Sequence, residues 1–228
     1  MIVIQNKKMR RFLRIFLPFV LIPAAIVFGI FLIEAKHHLL VSFAVAVLSL
    51  LLFFCGFEKK KIGSRRLVIV SVLIALSAVG RMMPVIKPVT VFALIAGIYL
   101  GAEAGFLVGS FSALISNFYF GQGPWTPFQM LAWGLIGFFA GICASPLKKN
   151  RIFLYIYAVF AAVLFSAVMD IWTALWLGGE FLPALYLSKV ITSLPHTAIY
   201  AVSNIIFLML LRKPLGEKLE RIKIKYGV

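Results

Sequence analysis

The chain has 228 residues, 63% apolar and 13% charged, with a mean hydropathy of +1.05. Ordinary soluble domains carry about 45–50% apolar and about 25% charged residues, so a water-soluble globular fold is excluded. The 23 Lys and Arg against 7 Asp and Glu give a formal charge of +16. Most of these cations sit in short clusters beside apolar runs, which marks cytoplasmic loops of a membrane protein and not a nucleic-acid surface.

The first apolar run, residues 15–33, follows the basic stretch Lys7 to Arg14. It is longer than the core of about 7–15 residues that a cleaved signal peptide has, so it reads as an anchor. A second run, 39–57, is followed by the cluster Lys59 to Arg66, and a third covers 67–80. The fourth, 88–120, would make a helix of about 50 Å against a hydrocarbon core of about 30 Å. Charge parity divides it. The clusters Lys59 to Arg66 and Lys148 to Arg151 share a side only if an even number of crossings separates them. The expected break is Gly101-Ala102-Glu103, where a glycine meets the only carboxylate of the run.

Three further runs, 127–145, 152–177 and 184–211, complete the pattern. The expected architecture is an all-α integral membrane protein of about eight transmembrane helices with both termini cytoplasmic. It divides into two N-terminal spans (1–66), a six-helix core (67–211) and a basic tail (212–228), which reads as a short amphipathic helix on the inner surface. Only Lys36, Arg81, Lys87 and Lys189 then fall outside. Cys55 and Cys143 lie close before cytoplasmic clusters, so no disulfide is expected.

Polar groups inside spans are costly, so their depth carries information. Asp170 lies about 28 Å beyond Arg151 at helical rise, and His196 and Lys189 lie at comparable depth before Arg212. They gather toward the outer side with Arg81, Lys87, Asn117, Gln122, Trp125, Thr126, Gln129, Trp133 and Trp172. Trp176 completes a set of four tryptophans, all in the outer half. Taken singly, each Trp fits an interfacial belt and each Lys or Arg a snorkelling side chain. Together, aromatics and a few polar groups around a concavity are what a ligand site needs. The loop Phe120 to Pro127, with two glycines and two prolines, must leave helical geometry there.

Small residues mark packing faces: Gly97, Gly101, Gly105 and Gly109, then Gly134, Gly137 and Gly141, and the stripe Ser71 and Ala75 with Ala78 beside it. No G-x-x-x-x-G-K-S/T loop, H-E-x-x-H pair or G-x-S-x-G elbow occurs. Neither ATP hydrolysis by a P-loop nor any other enzyme activity is expected, and no cofactor or metal.

From Arg66 onwards the layout resembles the substrate-binding S component of an energy-coupling-factor (ECF) vitamin transporter. The resemblance rests on six spans, on the stripe Ser71-x-x-x-Ala75, and on Gly97 to Gly109. It rests also on Asn117-Phe-Tyr-Phe-Gly-Gln-Gly-Pro-Trp-Thr-Pro-Phe-Gln129 and Trp133-Gly-Leu-Ile-Gly-Phe-Phe-Ala-Gly141. The Gln-Gly-Pro-Trp-Thr-Pro stretch is similar to members assigned to cobalamin or its precursors. The stripe departs from the usual Ala-x-x-x-Ala in its first position, and two extra spans precede the core. The resemblance implies a subunit that captures a vitamin from outside. It would then work with a membrane coupling subunit, docked at Ser71, Ala75 and Ala78, and with two cytoplasmic ATPases. The alternatives are a secondary carrier using Asp170 and His196 as a proton relay, and a membrane enzyme acting on lipid-linked substrates.

Overall fold

The basic N-terminal stretch and the first apolar run form one helical rod in the computed structural model, which describes residues 6–31, 38–55, 60–84 and 86–226. Asn6 caps α1 (Lys7–Phe16), its side chain accepting from the amides of Lys8 and Met9. A π-helical stretch, Leu17–Leu21, follows where Pro18 removes a backbone donor, and α2 (Ile22–Phe31) continues the rod. Next come α3 (His38–Cys55), α4 (Lys60–Gly80), α5 (Val89–Leu100), α6 (Ala102–Phe120), α7 (Thr126–Ile142), the short α8 (Ala144–Lys149), α9 (Arg151–Gly178) and α10 (Pro183–Tyr226). Lys36 and Lys59 lie outside the described residues.

Every described element is helical, as an all-α membrane protein requires. Among the described helices, Lys7–Gly29, His38–Cys55, Arg151–Gly178 and Pro183–Tyr226 are long and apolar enough to cross a bilayer. The long fourth run breaks at Gly101, whose φ of 101° favours a residue without a Cβ. The α5 helix is left with 12 residues, about 18 Å of length, well short of the roughly 30 Å hydrocarbon core. Before α5, Arg81 and Pro88 are buried and Lys87 half-buried, whereas Met82, Met83 and Pro84 are exposed.

Glycine contacts bring α5, α6 and α7 together at backbone distance. A Cβ on Gly97 or Gly105 would strike the Gly137 carbonyl, one on Gly109 the Trp133 carbonyl, and one on Gly141 the backbone of Ala102. The spacing runs α6 antiparallel to α7. At the other end of this slab Glu103, the buried carboxylate of α6, pairs with Arg14 of α1, while Arg66 of α4 donates to the Leu100 carbonyl. The N-terminal rod is thus fastened to the core beside the Gly101 break.

The last helix differs from the expectation of a span followed by a separate tail. One helix of 44 residues, about 66 Å long, continues through Pro214 to Tyr226. Its final part folds against the core: Gly216 admits the Tyr99 ring, Leu219 is buried, and Glu220 meets Lys148 at 3.1 Å. These contacts hold residues beyond Pro214 in line. The proline costs one bond of the helical ladder without ending the helix.

Candidate functional site

The two ends of the connection between α4 and α5 carry two cations toward the core, Arg81 buried and Lys87 half-buried. Arg81 follows the last turn of α4 and is 7% exposed. Its Nη1 donates to Ser116 Oγ at 2.6 Å and Asn117 Oδ1 at 2.7 Å, and its Nη2 donates to Gln129 Oε1 at 3.2 Å. All three acceptors are neutral. The guanidinium also lies 4.9 Å from the Trp133 ring centroid and 5.2 Å from that of Phe120. Lys87 hangs nearby, its Nζ 5.3 Å from the Phe120 ring and its backbone N–H donated to Ser203 Oγ of α10.

A cavity of about 260 Å³ opens beside these cations. Gln129 of α7 contributes one wall, and the remainder comes from α9 (Phe165, Ser166, Met169, Asp170) and α10 (Ser193, His196, Tyr200). Hydroxyls join those two helices across it. Ser193 Oγ donates to Asp170 Oδ2 at 2.7 Å, and Thr197 Oγ1 lies 2.6 Å from Ser166 Oγ. Rings stack in a column: Trp133 on Phe165 at 4.6 Å, Phe165 on Tyr200 at 5.2 Å, and His196 against Tyr200 at 4.9 Å.

Of the residues singled out from sequence, Arg81, Lys87, Gln129, Asp170 and His196 line this cavity. Asn117, Thr126 and Gln122 support it from behind. Asn117 Nδ2 donates to Thr126 Oγ1 and to Gln129 Oε1, both at 2.9 Å, and Thr126 Oγ1 donates to Gln122 Oε1 at 3.1 Å. Gln122 Nε2 returns to the Leu114 carbonyl at 2.9 Å, tying the loop to α6. Trp133 is fully buried under Arg81, and Trp172 packs between Phe128 and Trp176. Two residues stand apart. Trp125 is 37% exposed and folds its ring over Gly123, and Lys189 sits in the second turn of α10, outside the cavity lining.

Phe165, Ser166, Met169, Ser193 and Tyr200 were not singled out from sequence, although a signal existed. Ser166 and Asp170 are one turn apart on α9, and Ser193, His196 and Tyr200 follow i, i+3, i+7 spacing on α10. On α4, Ser71 and Ala75 are exposed among Val68, Val72, Leu76 and Val79, whereas Ala78 is buried. Cys55 and Cys143 are free thiols.

The family model for the ECF transporter substrate-specific component matches residues 65–213. The chain belongs to this family. As an S component it is a multi-pass membrane protein and the substrate-binding subunit of an ECF transporter, a transport subunit and not an enzyme. It works with a small-molecule substrate and with the ECF module of transmembrane and ATPase subunits. No curated protein and no solved structure matches the chain significantly.

Proposed function

We propose that this S component captures a vitamin-type molecule from outside in the cavity between α7, α9, α10 and the segment 81–88. The observation that carries the reading is the gathering of Arg81, Lys87 and Asp170 around one void flanked by stacked rings. Its size favours a compact substrate, because about 260 Å³ lies just below the range of roughly 300–1,000 Å³ usual for small-ligand sites. A corrinoid, favoured by the likeness of the Gln122 to Pro127 stretch to cobalamin-type members, is the second reading. It is far larger than this void and would engage it through a side arm.

The capture subunit presents Ser71 and Ala75 of α4 to the coupling subunit, with the two ATPases on the cytoplasmic side, where both termini also lie. Exposure of the two small residues supports that docking face. A proton-relay carrier has less support: Asp170 accepts from Ser193, and His196 rests on Tyr200.

Uptake measured with and without the ATPase subunits tests the reading. Uptake should vanish without them, and persistence would refute it. Mass spectrometry of the compound that co-purifies names the vitamin. Cysteines placed at 122 and 180 should label from outside, and tags at both termini from inside.

A further inference from the structure

We propose that the cavity selects a compact dipolar molecule, seating an acidic group between Arg81 and Lys87 and giving Asp170 a cationic or N–H donor group. The inference rests on the capture reading and narrows its substrate class.

Three charged side chains line this void, two positive and one negative. Among the described residues, no ion pair includes Arg81, Lys87 or Asp170. Arg81 and Asp170 are each 7% exposed, and the side-chain partners of both are neutral: Ser116, Asn117 and Gln129 for the first, Ser193 for the second. Buried charges are ordinarily paired, because the interior does not replace the water they lose. Had these groups served packing alone, cation and carboxylate would satisfy each other directly. They come instead from different elements facing one space, held in position by hydroxyls and amides that leave each charge uncompensated. A molecule carrying both signs completes both ends at once.

The excess of cations over carboxylates sets which end dominates: the acidic group is obligatory, and the donor refines the choice. The stacked Phe165, Tyr200 and His196 line the same void, and the edges of such a column suit an edge-to-face contact with a ring in the molecule bound.

The full chain in lipid nanodiscs is titrated with three probes of one shape: 4-(aminomethyl)benzoate, carrying both groups, 4-methylbenzoate, acid only, and 4-methylbenzylamine, cation only. The readout is tryptophan fluorescence, since Trp133 lies against Arg81. The zwitterion should saturate with a dissociation constant of about 1 mM or tighter, and each single-charge probe should bind about tenfold or more weakly. Lys87→Gln should weaken both acids about tenfold and spare the amine. Asp170→Asn, which keeps the Ser193 contact, should erase the zwitterion's advantage over 4-methylbenzoate. Lys87→Arg should restore acid binding, and melting curves on each variant separate lost recognition from lost folding.

Equal binding of all three probes, no saturation by the zwitterion up to about 10 mM, or variants that weaken every probe alike would overturn the proposal. So would a co-purified compound without an acidic group. Those results leave the capture reading standing, whereas ATPase-independent uptake removes that reading whatever the probes do.

Discussion

Arg81 Nη1 donates to Asn117 Oδ1 at 2.7 Å, and this one bond fixes how the Asn117 amide faces. With its oxygen turned to the guanidinium, the amide nitrogen points at Thr126 and Gln129, so cation, loop and α7 are held by one side chain.

Asn117→Asp therefore makes a sharp test. The substitution preserves volume but sets a carboxylate against Arg81, neutralising the cation inside the protein. Because a carboxylate cannot donate the bonds that the amide nitrogen gives Thr126 and Gln129, a melting curve accompanies the titration, and in the folded variant acidic probes should lose about tenfold or more in affinity. Undiminished acid binding would show that the Arg81 charge is not what the cavity offers.

Gly105→Ala addresses the slab of α5, α6 and α7. The added methyl meets the Gly137 backbone, which has no rotamer to yield, so a loss of about 1–3 kcal/mol or more is expected as a lowered melting temperature in detergent. Gly178→Ala is the control. Its methyl would meet only the flexible Leu185 and Leu182 side chains at 3.2 Å and beyond, so the melting temperature should barely move.

Glu103→Gln removes the buried carboxylate that Arg14 pairs with and that stands near the half-buried Arg66. Arg14 is half-exposed and its charge partly screened by solvent, so about 1 kcal/mol of destabilisation is expected. Thermal unfolding followed by light scattering would register it. An unchanged melting point would mean that the N-terminal rod is held by its apolar contacts alone.

Bulky groups on α4 should act by position. Ser71→Trp and Ala75→Trp project from the exposed face and should leave folding and probe binding intact while blocking co-purification with the coupling subunit. Ala78→Trp enters the core at a site 5% exposed and should reduce yield and binding together. Trp at Ser71 or Ala75 without effect on assembly would move the docking surface elsewhere.

How much of this was legible beforehand depended on whether a feature leaves a mark in residue type. The break at Gly101 did, because charge parity demanded a turn and only one place in the run combined a glycine with a carboxylate. Asp170 and Arg81 did, because ionisable groups are rare in apolar helices. The recession of Lys87 did not: run lengths give no measure of how far α5 falls short of a full crossing. Phe165 and Tyr200 escaped notice because aromatic residues are common in such helices, and only the mutual phase of α9 and α10 makes them walls. Trp125 shows the reverse, a conspicuous residue whose ring is taken up by the turn at Gly123. The separate tail expected from residue 212 is instead continuous with the last span, because contacts of Gly216 and Leu219 carry the helix past Pro214.

The glycine seams carry one last mechanical meaning. Where two backbones touch with no side chain between them, neither sliding nor rolling is possible without lifting the helices apart, so α5, α6 and α7 behave as a single block. Across the cavity, α9 and α10 are joined by the Ser193 to Asp170 and Thr197 to Ser166 contacts, and hydrogen bonds made by hydroxyls can exchange partners. Stiffness and compliance are therefore segregated on opposite walls. The wall that carries Arg81 and Gln129 is the anvil of fixed geometry, and adjustment of the cavity's shape falls to the hairpin of α9 and α10.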